Sequence, residues 1–291
     1  MNSDTLATKD PISPPKNNVA ALTAACGNGV SGVIIFALLP ILLAVCADHL
    51  KLTAVQAGML ASTYFASYAL ITAISIFWIL RVQWQAATYA AIGIMIVSII
   101  SIVILETYNA TLIGLFFCGI GASILHALGY GIVSEMHDTD RGFAIKLIPE
   151  QLVPAAILLL LSAYFAEFLN FKVLFSCILV TLIIHLFLVS GIPKKRTVKS
   201  ESAKLNLSNG TGLALLALCI SFSGFAGLWA FLERIANNGG IDIVHAGQLI
   251  SIGLISAGIG PFIVPFIPAR LGRSIPLTLS TLAAVLPLLL L

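Results

Sequence analysis

Glu150 has the clearest capacity for chemistry, because it lies one helical turn beyond Lys146 in an otherwise apolar part of the chain. Pro149 and Pro154 flank it, and each removes a backbone donor that an uninterrupted helix would use. A carboxylate that loses its water can take up and release a proton, so Glu150 and the adjacent Gln151 are candidates for proton coupling or ligand binding. The alternative is an ion pair within the helix, in which Lys146 extends toward water.

Trp229, Glu233 and Arg234 form a second candidate group. Trp229 and Glu233 are four residues apart, so they would share one face of a helix. An aromatic ring beside a charge is typical of a cavity that binds a small molecule. The same residues also suit an anchor at a membrane boundary, with the tryptophan at the lipid head groups. The residues alone leave both interpretations open.

Polar side chains in further apolar segments complete the candidates. Asn28 lies among glycines, which allow helices to approach closely, and its amide could bind a ligand or join two helices. Tyr64 and Tyr68 are four residues apart, and their hydroxyl groups need partners, which favours a cavity. His126 and His185 could each relay protons or serve as hydrogen-bonded packing residues.

The elements that hold these side chains must lie in lipid, because the composition excludes a soluble domain. Of the 291 residues, 59% are hydrophobic and 9% are charged, whereas soluble domains carry about 25% charged residues. The net charge of +3 comes from dispersed basic residues, which argues against a nucleic-acid partner. The five cysteines lie in apolar stretches without the spacing of metal ligands, so we expect no metal and no cofactor.

Long apolar stretches predict membrane-spanning helices. A helix needs about 20 apolar residues to cross the hydrocarbon core of a bilayer, and an open strand edge would leave backbone polar groups unpaired there. The sequence predicts nine spans, at residues 20–46, 54–80, 87–105, 110–133, 144–168, 171–192, 211–236, 243–268 and 275–291. Residues 1–19 are polar, contain three prolines and predict a disordered cytoplasmic tail.

The distribution of lysine and arginine predicts the orientation, because these residues resist translocation. With the N-terminus in the cytoplasm, twelve of the fifteen basic residues fall on the inner side and three on the outer side. The reverse orientation would invert this asymmetry. We therefore expect an integral protein of the bacterial inner (plasma) membrane, in contact with lipid, with a cytoplasmic N-terminus.

An internal repeat predicts two halves of the same orientation. Residues 54–62 and 243–251 are identical at five of nine positions with an offset of 189 residues, and the same offset pairs Arg81 with Arg270. Parallel repeats joined by a cytoplasmic linker are a recurring layout of transporters. We expect an N-terminal six-helix half, a polar linker and a partial C-terminal half of three helices at 20–192, 193–210 and 211–291.

The loop after the second copy carries a further motif. Residues 268–273 read Pro-Ala-Arg-Leu-Gly-Arg and resemble the Gly-x-x-x-Asp-Arg-x-Gly-Arg signature of the major facilitator superfamily. This copy keeps Arg270, Gly272 and Arg273, and has Ala269 where the family often places aspartate. The first copy keeps a single arginine. The repeat, linker and loop motif together resemble that family over essentially the whole chain.

The resemblance implies an all-α, polytopic, major-facilitator-like helical bundle that moves a small organic solute by alternating access. Such transport is secondary active or facilitative, and protons are the coupling ion that Glu150 would suit. In this family the first helix of each half lines the substrate cavity, which favours the binding interpretation of Trp229 and Glu233. The resemblance also implies that Arg81, with Arg270 and Arg273, braces the inner gate.

Two halves with this offset imply about three more helices than the chain contains, so we expect it to be incomplete at its C-terminus. The alternative functions are therefore a truncated remnant that does not transport and a transporter-like sensor. A membrane enzyme is less favoured. Its candidate site is the polar loop at 134–140, where His137 and carboxylates could act as acid and base but no nucleophile accompanies them.

Overall fold

The structure, a computed structural model, describes residues 19–193 and 209–263, together with 278, 279 and 282. These residues form α-helices, short loops and two 3₁₀ turns, and no β-strand occurs among them. The helices are α1 (Val19–Leu50), α2 (Ala54–Ala73), α3 (Ser75–Trp78), α4 (Trp84–Leu105), α5 (Tyr108–Ser134), α6 (Thr139–Ala163), α7 (Phe171–Leu188), α8 (Asn209–Ala230), α9 (Leu232–Asn238) and α10 (Ile243–Ile263). The predicted tail, except its last residue, and most of the predicted linker and ninth span lie outside the described residues.

Within the described part of the chain, seven helices are long and apolar enough to cross a bilayer, namely α1, α4, α5, α6, α7, α8 and α10. They correspond to seven of the nine predicted spans and confirm an all-α polytopic membrane protein. Helix α2 is not among the seven although it has 20 residues. Gln56 and several hydroxyl-bearing side chains, including Tyr64 and Tyr68, lower its apolar content.

Two of the predicted spans are interrupted, so their prediction as continuous helices is wrong. The second span breaks at Ile74, where α2 ends with φ −87° and ψ 0° and α3 begins. The Thr72 hydroxyl donates to the carbonyl of Tyr68 at 2.9 Å, and a hydroxyl bonded in this way favours bending of a helix. The seventh span breaks at Phe231, between α8 and α9, where φ is −106° and ψ is 11°.

Helix α1 is the central helix of the bundle and packs against α5, α6 and α7. Its glycines face three different neighbours, since Gly27 faces α7, Gly29 faces α6 and Gly32 faces α5. A Cβ atom at Gly32 would lie 2.9 Å from the carbonyl oxygen of Ala122, closer than real Cβ atoms approach. The glycines therefore allow the backbones of neighbouring helices to come together, as the sequence predicts for this segment.

Helix α10 packs along α6 and so joins the chain after the predicted linker to the chain before it. Glycines again permit the contact, because a Cβ atom would lie 3.2 Å from Ser162 at Gly247 and 3.2 Å from Leu152 at Gly258. The helix pair bridges the two predicted halves. The boundaries of those halves stay a prediction.

The two ends of the bundle differ in their polar contacts. The His49 end is where α1 ends and α2 begins, and the Met136 end is where α5 ends and α6 begins. At the His49 end, the Glu106 carboxylate contacts Nζ of Lys172 at 2.6 Å and Nε2 of His49 at 2.6 Å. His49 also stacks on Phe171, with 4.6 Å between ring centroids. Glu106 therefore connects the end of α1, the loop between α4 and α5, and the start of α7.

Candidate functional site

A group of polar side chains lies where α1, α2, α5 and α6 meet, buried at Asn28, Lys146 and Glu150 and open to the surface at Tyr130, which is 39% exposed. We call it the central polar cluster, and its members are Asn28, Tyr68, His126, Tyr130, Lys146 and Glu150. Asn28 and Lys146 are completely buried, and Glu150 is 2% exposed. Ionisable groups at this depth in a membrane protein are costly and mark functional sites.

Lys146 and Glu150 form an ion pair within α6, one helical turn apart. The predicted pair is therefore present, but the interpretation in which Lys146 extends toward water is wrong, because its side chain is 0% exposed. The ammonium group lies 3.9 Å from the centre of the Tyr130 ring, whose π face carries partial negative charge. Glu150 thus neutralises the lysine, and Tyr130 covers it.

Two glycines make room for this ion pair. A Cβ atom at Gly129 of α5 would lie 2.9 Å from Cε of Lys146 and 3.3 Å from Cβ of Asn28. A Cβ atom at Gly29 of α1 would overlap the carboxylate of Glu150. Asn28 and Lys146 therefore flank the same small residue. Helix α1 has no side chain at Gly29, where the Glu150 carboxylate of α6 approaches it.

The cluster continues from α6 through α5 to α2. The ring centroid of Tyr130 lies 4.7 Å from that of His126, and Nδ1 of His126 is hydrogen-bonded to the hydroxyl of Tyr68. The tautomer of the histidine decides which of the two groups donates. Tyr68, His126, Tyr130, Lys146 and Glu150 consequently form a continuous row of contacts.

Several buried polar atoms in this region have no hydrogen-bond partner among the described residues. They are both amide atoms of Asn28, the hydroxyl of Tyr64 and Nε2 of His126, and the hydroxyl of Ser31, one turn further along α1 from Asn28, is likewise unpaired. Buried polar groups are nearly always paired, and an unpaired one costs about 1–3 kcal/mol. Such atoms beside a buried ion pair suit a site whose polar partners change during function.

The structure brings four of the predicted site residues together in the central polar cluster, namely Asn28, Tyr68, His126 and Glu150. Tyr64 is completely buried next to it, with its ring centroid 6.1 Å from that of Tyr68. Gln151 lies instead at the contact with α10, where a Cβ atom at Gly258 would be 3.4 Å from its own Cβ. His185 reaches α1 from α7 at Gly27 and is also separate from the cluster.

The sequence predictions include Lys146 only as the partner of Glu150, and they omit Tyr130 and Ser31. The signal that could have identified Tyr130 is its spacing, because it lies four residues after His126 and therefore on the same face of α5. Ser31 gives no comparable signal, since a hydroxyl within a helix commonly bonds to its own backbone.

Trp229 lies apart from the cluster, where α8 meets α1. Its indole Nε1 donates to the carbonyl oxygen of Phe36 at 2.8 Å. Pro40 has no N–H group, so the carbonyl four residues earlier lacks its usual donor within α1. The indole ring also stacks on Phe36 and on Phe225, with centroid separations of 6.3 and 5.9 Å. Trp229 therefore satisfies an acceptor that the proline creates.

Pro149 has the same effect in α6, where it leaves the carbonyl of Ile145 without a donor from its own helix. The Cys26 thiol of α1 donates to this oxygen, with 3.9 Å between sulfur and oxygen. A thiol is a weak donor. In both α1 and α6, a carbonyl released by a proline is thus bonded to a side chain of another helix.

A cavity of about 390 Å³ lies at the His49 end, between α1 and α2 on one side and α8, α9 and α10 on the other. We call it the His49-end cavity. Asp48, Glu233 and Arg234 line it. Glu233 is 8% exposed and makes no ion pair or hydrogen bond with any described residue. Burial raises the pKa of Glu233, Asp48 raises it further, and Arg234 lowers it in part.

The break at Phe231 separates Trp229 from Glu233, so the predicted single helix face that joins them is wrong. Trp229 contacts α1 through its ring and N–H, whereas Glu233 of α9 lines the His49-end cavity. The described residues hold no group of three or more His, Cys, Asp or Glu side chains that is suited to a metal ion.

The predicted gate residues are divided between the two parts of the chain. Arg81 is exposed at the Met136 end, just after α3. Arg270, Gly272 and Arg273 lie outside the described residues. Their bracing role at the gate therefore stays a prediction.

Comparison with protein families gives a result that covers nearly the whole chain. The model of the family described as Major Facilitator Superfamily matches residues 24–291. A search of curated proteins finds no match. The matched region contains the central polar cluster and the His49-end cavity, and it includes all the membrane-spanning candidates apart from the first residues of α1. The chain belongs to the Major Facilitator Superfamily of membrane transporters.

Proposed function

We propose that the protein moves a small organic solute across the membrane by alternating access, and that protons drive this movement through the Lys146–Glu150 pair. The observation that carries the proposal is the burial of this pair, with Lys146 0% and Glu150 2% exposed, beside polar atoms that lack partners among the described residues. Membership of the superfamily makes the chain a membrane transporter. Our proposal adds the small organic solute, the coupling to protons and the alternating-access mechanism.

Proton uptake by Glu150 changes the charge of the cluster. The pair is neutral overall while Glu150 is ionised, and it becomes a buried cation once the carboxylate is protonated. A buried charge without its counter-charge is strongly unfavourable. A conformation that admits water to Lys146 is then favoured, so the free energy of protonation biases the equilibrium between conformations.

The row of contacts from Glu150 to Tyr68 supports a proton path between α6 and α2. Tyr130 separates the ion pair from His126, and His126 is hydrogen-bonded to Tyr68. Histidine is the side chain that most readily gains and loses a proton near neutral pH. Nε2 of His126 has no hydrogen-bond partner among the described residues, so this second ring nitrogen is free to exchange a proton with another group.

The orientation and the membrane belong to the same proposal. The distribution of basic residues supports a cytoplasmic N-terminus in the inner membrane of a bacterium. In that orientation the Met136 end, with Arg81, faces the cytoplasm and the His49-end cavity opens to the other side. Arg81 would then act at the inner gate together with Arg270 and Arg273.

The test is pH-driven solute movement in proteoliposomes that contain this chain. A mixture of small metabolites is offered under pH gradients of either sign, and the accumulated solutes are identified by mass spectrometry. We expect Glu150→Gln to abolish the dependence on the gradient. Glu167→Gln, which alters an exposed carboxylate in the 3₁₀ turn after α6, is the matched control and should behave like the unmodified protein.

A double variant separates loss of coupling from loss of folding. Lys146→Met with Glu150→Gln removes both charges, so it avoids an unpaired buried lysine and should also lose the gradient dependence. Gradient-dependent movement that persists in Glu150→Gln would remove Glu150 from the coupling role. Absence of any solute movement by the unmodified chain would contradict the transport proposal itself.

A further inference from the structure

We propose that the His49-end cavity binds the ammonium group of a small organic amine, and that Asp48 and Glu233 hold this group. The inference deepens the proposed function and rests on it, because it names the chemical class of the solute. It concerns a site distinct from the Lys146–Glu150 pair.

The cavity has the size and position of a solute site. Its volume of about 390 Å³ falls within the range of small-molecule sites, about 300–1,000 Å³. One wall comes from α1 and α2, and the other comes from α8, α9 and α10. These walls belong to the two predicted halves, so a molecule in the cavity would contact both of them.

The two carboxylates give the cavity negative charge that Arg234 offsets only in part. Glu233 is more than nine-tenths buried, and Asp48 lies at the end of α1. Neither makes an ion pair or a hydrogen bond with any described residue, although both line the cavity. A buried carboxylate is unfavourable until a cation or a set of donors compensates it. A bound cation would supply this compensation for both side chains at once.

The other charged groups of the cavity do not take this role. Arg234 is exposed and forms no ion pair with Glu233 in the described part of the chain. Asp242 already contacts Nδ1 of His245 at 2.8 Å and accepts from two backbone N–H groups at the start of α10. Asp48 and Glu233 are therefore the carboxylates left for a ligand.

The remaining wall favours an organic cation over a metal ion. Phe231, Leu43 and Ala57 line the cavity beside the two acids. Apolar side chains can cover the hydrocarbon part of an amine, and an aromatic ring attracts an ammonium group through its π face. A divalent metal ion prefers several oxygen ligands, and the described residues hold no group of three or more candidate ligand side chains.

The test is a calorimetric titration of the purified chain in lipid nanodiscs with benzylamine as the probe. Benzyl alcohol, which has nearly the same shape and no charge, is the matched ligand. We expect benzylamine to bind and benzyl alcohol not to bind. Glu233→Gln should weaken the binding of benzylamine by about tenfold or more, because it removes a buried charge from the contact.

Two further variants distinguish an effect on the cavity from an effect on folding. Asp48→Asn alters an exposed residue and should weaken benzylamine by about two- to fivefold, since exposed charges interact less strongly. Glu167→Gln changes a carboxylate at the same end of the bundle that does not line the cavity, and should leave the affinity unchanged. Size-exclusion chromatography of each variant verifies that it is folded.

The inference would be overturned by no binding of benzylamine, by equal binding of benzyl alcohol, or by unchanged affinity in folded Glu233→Gln and Asp48→Asn. Displacement of benzylamine by sodium at equal concentration would also overturn it, because the site would then be one for an inorganic cation. The titration does not depend on transport, so absence of solute uptake counts against the proposed function while the titration decides the ligand.

Discussion

The indole N–H of Trp229 donates to the carbonyl oxygen of Phe36, the acceptor that Pro40 leaves without a donor in α1. The bond connects α8 to α1, which are the first helices of the two predicted halves. It is a direct hydrogen bond between the halves, and the stacking of Trp229 on Phe36 and Phe225 surrounds it with aromatic rings. The contribution of this bond to stability should depend on the proline.

Trp229→Phe should destabilise the protein by about 1–3 kcal/mol, because it leaves the Phe36 carbonyl unpaired while an aromatic ring remains for stacking. The free energy of unfolding is measured by titration with sodium dodecyl sulfate in mixed micelles, with circular dichroism as the signal. Trp229→Phe with unchanged unfolding energy would show that the carbonyl finds another donor.

Pro40→Ala provides the control for this prediction. Alanine restores an N–H group at position 40, so the Phe36 carbonyl regains a donor within α1. In this background Trp229→Phe should cost about 1 kcal/mol less than in the unmodified protein, which a double-mutant cycle measures directly. Equal costs in the two backgrounds would contradict the link between the proline and the tryptophan.

Glu150→Gln should destabilise the protein by about 3–5 kcal/mol, since it leaves the buried Lys146 without its counter-charge. The double variant Lys146→Met with Glu150→Gln should be closer in stability to the unmodified protein, because no unpaired charge remains. Unfolding in mixed micelles distinguishes the two. A double variant that is less stable than Glu150→Gln alone would mean that Lys146 has a second buried partner.

Gly32→Ala should destabilise the contact between α1 and α5 by about 1–3 kcal/mol through overpacking. The added Cβ atom would lie 2.9 Å from the carbonyl oxygen of Ala122 and 2.9 Å from the backbone nitrogen of His126, and backbone atoms cannot rotate away. Gly93→Ala is the matched control, because its Cβ atom would meet no described atom within 4 Å on the exposed face of α4. That control should be neutral or slightly stabilising in the same unfolding assay.

The contacts of Glu106 should make stability depend on acid pH. The hydrogen bond with Lys172, and then the one with His49, lowers the pKa of Glu106 below its ordinary value. A carboxylate with a lowered pKa in the folded state stabilises the protein above the pKa of the unfolded chain, and that contribution is lost as the pH falls through the folded pKa. The melting temperature should therefore decline as the pH falls from the pKa of Glu106 in the unfolded chain through its lower pKa in the folded protein.

Glu106→Gln should flatten this acid limb of the melting temperature, measured by differential scanning fluorimetry across pH. Glu167→Gln removes an exposed carboxylate at the same end of the bundle and should leave the limb unchanged. An acid limb that persists without change in Glu106→Gln would assign the pH dependence to other carboxylates.

Much of the fold could be predicted, because a long apolar stretch in lipid has one stable backbone solution. The breaks at Ile74 and Phe231 could not. Each depends on local hydrogen bonds and neighbouring helices, and the residues there remain as apolar as those of an intact helix. Thr72 gave a weak local signal for the first break, since its hydroxyl competes for a helix carbonyl.

The candidate site was predictable where a polar residue is rare for its surroundings. Glu150 and Asn28 stand out in apolar segments, and the structure brings them to the same cluster. The burial of Lys146 was not predictable, because a lysine near the end of a span usually reaches water. Its position depends on Tyr130 and Gly129, which lie on another helix.

The glycines of α1 restrict which sequences can keep this arrangement. Gly27, Gly29 and Gly32 each face a different helix, and a Cβ atom at any of the three would lie less than 3.0 Å from an atom of that helix. A Cβ atom at Gly32 would meet the backbone of α5, whereas one at Gly27 or Gly29 would displace the side chain of His185 or Glu150 from its present position. Divergent relatives should therefore retain small residues at these three positions, while the equivalent of Gly93 drifts freely. In an alignment of such relatives, we therefore expect α1 to vary less than the other helices.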